Sequence, residues 1–186
     1  IKRQYSILQE IIMKVKTICN PININYQYQV PMRSRESADP AVVLYQDEYY
    51  LFASHGSGYW VSSDLANWEF IEVDLNKQPE FNLFAPGPVV AGDRMYITHC
   101  QGGSILYSDN PRDPDSWINV GRPYYWNDPA LFVDDDGSLY CYEGLSPVHP
   151  LHVCKLDPQD PSKVLEGPID IFQSDRDVRG FERVGD

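Results

Sequence analysis

Two aspartates stand directly before prolines at the head of apolar stretches: Ala38-Asp39-Pro40 runs into Ala-Val-Val-Leu-Tyr, and Asn127-Asp128-Pro129 runs into Ala-Leu-Phe-Val. A carboxylate at the mouth of a strand can accept a proton or orient a partner group, which is what acid–base chemistry asks of it. Either dipeptide alone is a common turn initiator. Its return at matching places in two repeats argues for a shared role. A proline after each aspartate selects extended backbone for that aspartate and removes a donor, so both side chains are expected at strand mouths facing a common axis, outside any helix cap.

The elements that would hold them are short. From residue 38 onward, apolar runs rich in Val, Tyr, Phe and Ile alternate with Gly, Asp, Asn and Pro clusters, the pattern of many antiparallel strands. The first unit reads Ala38 to Tyr45, a turn at Gln46-Asp47-Glu48, Tyr49 to Ser54, Gly58 to Ser63 and Trp68 to Ile71. The second follows the same grammar from Ala85-Pro86, through a turn at Gly92-Asp93 and Met95 to His99, to Ile105 to Ser108 and Trp117 to Val120. A third begins at Asp128, turns between Asp134 and Gly137, and continues through Leu139 to Tyr142 and Leu151 to Leu156. The second-strand tyrosines Tyr50, Tyr96 and Tyr140 recur about every 45 residues, a period that with four strands per unit means propeller blades. The fold class is therefore all-β, with room for about three blades and an apolar face left open to water. A three-sheet prism or a sandwich is the alternative.

The formal net charge of -12, from 15 basic and 27 acidic residues, repels a phosphate backbone or an anionic membrane, and Lys14 and Lys16 make no basic patch. Neither nucleic acid nor a membrane is an expected partner. Eighteen consecutive apolar residues do not occur, and the run from Ile11 to Ile18 is broken by lysines, unlike a secretory signal, which points to a cytoplasmic protein. Cys19, Cys100, Cys141 and Cys154 form no CxxC pair and read as reduced, buried thiols. Residues 1–18 read as a lead, with residues 1–12 upstream of a translation start at Met13, and residues 19–186 as one incomplete domain.

Several of these stretches together resemble glycoside hydrolase family 43. Ala38-Asp-Pro-Ala-Val-Val with Tyr49-Tyr-Leu-Phe-Ala-Ser and Ser63-Asp-Leu-Ala-Asn-Trp68 looks like that family's first blade. Phe84-Ala-Pro86 resembles its Trp-Ala-Pro, and Asp128-Pro-Ala-Leu-Phe-Val-Asp-Asp-Asp-Gly137-Ser-Leu-Tyr140 resembles its third-blade signature. Cys19-Asn-Pro-Ile and the tail Gly180-Phe-Glu-Arg-Val-Gly-Asp186 are similar to further family segments.

The resemblance implies a five-bladed β-propeller that hydrolyses O-glycosidic bonds of plant-type oligosaccharides with inversion, of arabinofuranosidase, xylosidase or galactosidase type. It makes Asp39 the general base and Asp128 the residue that tunes the acid's pKa. Inversion needs base and acid about 6.5–9.5 Å apart so that a water fits beneath the sugar. The acid is a glutamate in a Glu-Gly motif opening the fourth blade. Glu166-Gly167-Pro168 falls short of one full repeat after Asp128 and lacks a Tyr-rich strand behind it, so it reads as the outer strand of blade three. The acid is then expected beyond Asp186, and the chain by itself is expected to be inactive. A non-catalytic carbohydrate-binding propeller is the alternative function.

For the sugar platform the expected rings are Trp126, beside Asn127-Asp128, then Phe84 and Trp60, because a sugar face stacks on an aromatic ring. Trp68 and Trp117 are expected to pack blades. No cofactor is required on this reading. The resemblance allows a structural calcium ion in the complete propeller, but no metal ligand is assigned: position 12 of a calcium loop starting at Asp134 would be Leu145, not Glu, so Asp134 to Gly137 is read as a hairpin turn. Gln101-Gly-Gly103 is read as a turn between strands, since no helix follows to complete a phosphate cradle.

Overall fold

Each of the three repeats folds into a four-stranded antiparallel sheet whose strands pair in chain order. The computed structural model describes residue 24, residues 38–145, residues 149–175 and residue 177. The first blade comprises β1 (Ala41–Tyr45), β2 (Glu48–Phe52), β3 (Gly58–Ser62) and β4 (Glu69–Glu72). The second comprises β5 (Gly87–Ala91), β6 (Arg94–Thr98), β7 (Ile105–Ser108) and β8 (Ile118–Gly121), and the third β9 (Ala130–Val133), β10 (Leu139–Glu143), β11 (Leu151–Asp157) and β12 (Asp160–Phe172). Among the described residues the only helical turns are two short 3₁₀ segments, Pro79–Phe81 and Pro114–Ser116. None is long and apolar enough to cross a membrane.

Turn chemistry sets the strand registers. Gln46 and Asp47 both take positive φ, 49° and 63°, the backbone that a two-residue hairpin needs to match the strand twist, and Tyr45 then pairs with Glu48. The register puts the recurrent tyrosines opposite matching first-strand residues, with Val43 facing Tyr50, Val89 facing Tyr96 and Phe132 facing Tyr140.

β1 lies against β5 and β5 against β9, so the first strand of every blade borders the common axis. Alternating side chains then fill the two seams. Between blades one and two, Tyr50, Phe52, Tyr59 and Val61 pack with Met95, Ile97, Leu106 and Trp117. Between blades two and three, Tyr96 and Ile105 on the other face of the middle sheet pack with Trp126, Leu131, Leu139, Cys141, Cys154 and Leu156. The middle blade is thus buried on both faces, as a propeller blade must be. On the far side of blade one, Leu51 and Trp60 pack with Ile24, while Val42 and Leu44 stay about half exposed. On the far side of blade three, Phe132 and Tyr142 meet edge to face and remain exposed.

Glu166 sits in β12, the outermost strand of its sheet, as its position in the repeat suggested. Cys100, Cys141 and Cys154 are buried free thiols. The lead 1–18, Met13, the segment Cys19-Asn-Pro-Ile and the tail from Gly180 to Asp186 lie outside the described residues.

Candidate active site

Three Xaa-Pro steps open the three axial strands: Asp39-Pro40 before β1, Ala85-Pro86 before β5 and Asp128-Pro129 before β9. Extended backbone was expected at the aspartates; the structure instead gives φ of 53° at Asp39, 48° at Ala85 and 45° at Asp128. The left-handed conformation costs a non-glycine residue on the order of 1–3 kcal/mol and persists only where surrounding bonds over-determine it. Those bonds are visible in each blade. The carbonyl of the preceding residue accepts from the amide that follows the second strand: Ser54 N to Ala38 O at 2.8 Å, Cys100 N to Phe84 O at 2.7 Å and Gly144 N to Asn127 O at 2.9 Å. Tertiary hydrogen bonds therefore override the local preference of a residue before proline.

A second set of bonds ties each opening to its neighbour. The Ser54 hydroxyl donates to Asp39 Oδ2 at 2.7 Å and accepts the Ala85 amide at 2.8 Å, so one side chain orients the first aspartate and anchors the next blade. One blade on, the Cys100 sulfur takes the Asp128 amide at 3.4 Å. Burial, with the Asp128 carboxyl beside it, pushes the Cys100 thiol up to about 11, so it stays protonated as a donor. Thr98 Oγ1 also reaches across, donating to Pro129 O at 2.7 Å. A glycine is needed there: a Cβ on Gly87 would lie 2.9 Å from Thr98 Oγ1 and 3.1 Å from Pro129 O.

The structure thus places Asp39 and Asp128 at the same position of β1 and β9, with Ala85 at that position of the intervening β5. Asp39 is half-buried and Asp128 exposed. Among the described residues no group of three His, Cys, Asp or Glu side chains could hold a metal ion. A cavity of about 640 Å³ between blades two and three, lined by Gly92, Asp93, Arg94, Gly137 and Gln159, opens at the hairpin ends of the strands, opposite the aspartates.

Comparison with known proteins decides what kind of propeller this is. The family model described as glycosyl hydrolases family 43 matches residues 28–182. The chain belongs to family 43. A xylan 1,3-beta-xylosidase of a Vibrio species is 26% identical over 139 residues, covering 60% of this chain and 26% of that protein. A thermostable family-43 glycoside hydrolase superposes with a TM-score of 0.60 at 20% identity, covering 88% of this chain and 59% of the other. The alpha-L-arabinofuranosidase of Clostridium thermocellum does so with a TM-score of 0.57 at 23% identity, covering 81% and 58%. The chain therefore spans about a quarter of the xylosidase's length and under two thirds of each of these solved chains.

The aromatic residues expected to receive a family 43 sugar are distributed differently. Trp126 is 0% exposed, packed in the seam between blades two and three, with Nε1 donating to Gly103 O at 2.9 Å and its own carbonyl accepting from Gly102 N. It offers a ligand no face; instead it anchors the Gln101-Gly102-Gly103 turn behind Cys100. Trp60 is 1% exposed against Phe70 on the far side of blade one, again with no face open to a ligand. Phe84 alone of the three stays half-buried, stacked on His55 at 5.1 Å between centroids, and His55 Nδ1 lies 3.1 Å from Asn82 Oδ1. Trp117 packs a blade seam and Trp68 packs against the cluster around Trp60, as expected of both.

Residue reasoning passed over Ser54, Cys100 and Glu143. Ser54 and Cys100 recur at the same place two residues past the second strand, which was a signal in the sequence; the matching residue of blade three is Gly144, so Glu143, one residue earlier, carried no such repeat.

Proposed function

We propose that the intact protein is an inverting glycosidase acting on plant-type oligosaccharides whose terminal sugar is a xylose, arabinofuranose or galactose unit. The observation that carries this reading is the matched pair Asp39 and Asp128, at equivalent positions of two axial strands in a family 43 chain. Asp39, oriented by Ser54, takes the proton of a water that attacks the anomeric carbon. Asp128 neighbours the acid and raises its pKa by like-charge repulsion, which keeps it protonated until the glycosidic oxygen leaves. The acid is a glutamate C-terminal to Asp186, since Glu166 is exposed on the outermost strand of blade three. The similarity to the Vibrio xylosidase supports a pentose substrate. Phe84, beside His55 and Asn82, is the aromatic contact retained for the sugar. No cofactor takes part in these steps.

The test is Asp39→Asn in the intact protein, assayed on aryl xylosides and arabinofuranosides with the released anomer followed by NMR. Loss of turnover by at least about a thousandfold, with the wild type releasing the inverted anomer, is expected. A wild type that binds oligosaccharides without cleaving them would establish a carbohydrate-binding propeller in its place.

A further inference from the structure

The third blade carries a carboxyl–imidazole–carboxyl network that begins where blade one has an alanine and blade two a histidine. Just before the amide that closes each blade's opening stand Ala53, His99 and Glu143, respectively. Glu143 is only 8% exposed, and its two oxygens are both engaged: Oε2 accepts the Asn127 amide at 3.3 Å and Oε1 meets His152 Nδ1 at 2.8 Å. On the other side of the ring, His152 Nε2 lies 3.0 Å from Asp170 Oδ1. The three residues are register partners across β10, β11 and β12, so the sheet itself sets their order. The ring thus bridges two carboxyl groups, one at each nitrogen.

Burying a charge at the end of a strand is costly unless it is paired and bonded. An alanine fills the same place in blade one, so packing does not demand a carboxylate there. The third blade differs at the peptide the carboxylate holds: Asn127 has its amide bound by Glu143 and its carbonyl by Gly144, so both of its main-chain polar groups are fixed. The next residue is Asp128, at φ 45°.

We propose that Glu143, held by His152, is a positioning residue for Asp128. Its carboxylate pins the peptide from which Asp128 departs and keeps the left-handed turn there in one conformation. The surface end of the network, Asp170, orients the imidazole. A displacement of about 1 Å in a group near the reacting atoms can cost up to a hundredfold in rate, so a second clamp on this peptide acts on turnover more than on substrate binding. This inference rests on the glycosidase reading above and adds a role that the reading does not require.

The experiment compares Glu143→Ala, Glu143→Gln, His152→Ala and Asp128→Asn in the intact protein, with kcat and KM measured separately and the fold checked by thermal melting. Glu143→Ala is expected to lower kcat about tenfold or more with KM within about twofold. Glu143→Gln, whose amide oxygen still accepts from Asn127, is expected to restore most of that loss, and His152→Ala to fall between them. If Glu143→Ala leaves kcat unchanged while Asp128→Asn abolishes it, the inference is overturned and the glycosidase reading stands. If Asp128→Asn is also without effect, both are overturned. Equal losses in the alanine and glutamine variants would equally count against positioning through the Asn127 amide. Should Glu143→Ala not accumulate as folded protein, His152→Ala decides on the same readout, and an unchanged kcat there overturns the inference.

Discussion

At the scale of single residues, burial and hydrogen bonding separate the side chains that hold the site from those that could touch a substrate. Trp126 stands one residue from Asn127-Asp128, yet it is wholly enclosed between two blades with its indole nitrogen satisfied by Gly103 O. Trp126→Ala is therefore expected to cost about 3–5 kcal/mol of stability, read as a lowered denaturant midpoint. A sugar platform would instead show a raised KM on an unaltered fold. Ser54 has the opposite profile, a small side chain with two duties. Ser54→Ala leaves the Ala85 amide without its acceptor and Asp39 without its hydroxyl donor. A loss of about 1–3 kcal/mol in stability is expected, together with, in the intact protein, a fall in kcat that Ser54→Thr, which keeps the hydroxyl, largely avoids. A Ser54→Ala enzyme with wild-type kcat would show that Asp39 needs no such partner.

At the scale of elements, the strands form because apolar side chains alternate along them, but their spacing is set by contacts that one missing atom permits. Gly58 opens β3 opposite Glu72, and a Cβ built on it would fall 2.0 Å from the Ile71 carbonyl oxygen. Backbone cannot yield as the tip of a flexible side chain can. Gly58→Ala is accordingly expected to destabilise the first blade by about 1–3 kcal/mol, with hydrogen exchange accelerated first in β4; an unchanged midpoint would mean that β4 shifts at no cost. The Xaa-Pro openings illustrate the reverse case. Proline's neighbour avoids compact backbone in an isolated peptide, yet Asp39, Ala85 and Asp128 all turn left-handed because an amide from the end of the second strand captures the carbonyl before each of them.

At the scale of the whole molecule, the blades are joined by apolar seams with polar stitches at their rims. Phe52, Tyr59, Phe81 and Trp117 meet ring to ring between blades one and two, at centroid distances from 5.1 to 6.5 Å. Burial raises the Tyr59 phenol, which stays neutral and donates to Pro111 O. At the rim, Arg112 of blade two grips Glu48 and Glu69 of blade one. The Arg112 hydrogen bonds hold the Glu48 carboxyl below its usual value, so the folded state gains from this clamp above the unfolded carboxylate range near 4.5 and loses it as pH falls through the depressed folded value. The groups are partly exposed, and solvent screening limits the effect to about 1 kcal/mol. Arg112→Ala should lower Tm by roughly 2–4 °C at pH 7, a difference that shrinks below about pH 4. A pH-independent difference would assign the loss to the packing of the arginine stem instead.

The all-β class, the division into three four-stranded blades and the alignment of Asp39 with Asp128 are all legible from residue order, because strand alternation, turn residues and a repeat of about 45 residues are local, periodic signals. Glu166 could be assigned to an outer strand by counting along the same period. Three things were decided only by the tertiary structure. The backbone at the aspartates depends on carbonyls captured from strands sixteen or seventeen residues away. Whether an aromatic ring stays partly open or is sealed against a neighbouring blade, as Phe84 and Trp126 divide, depends on which sheet packs over it, and neighbours in sequence do not carry that information. The clamp from Asp170 through His152 to Glu143 arises from side-by-side pairing of three strands, so residues far apart in the chain become one network only when the sheet closes over them.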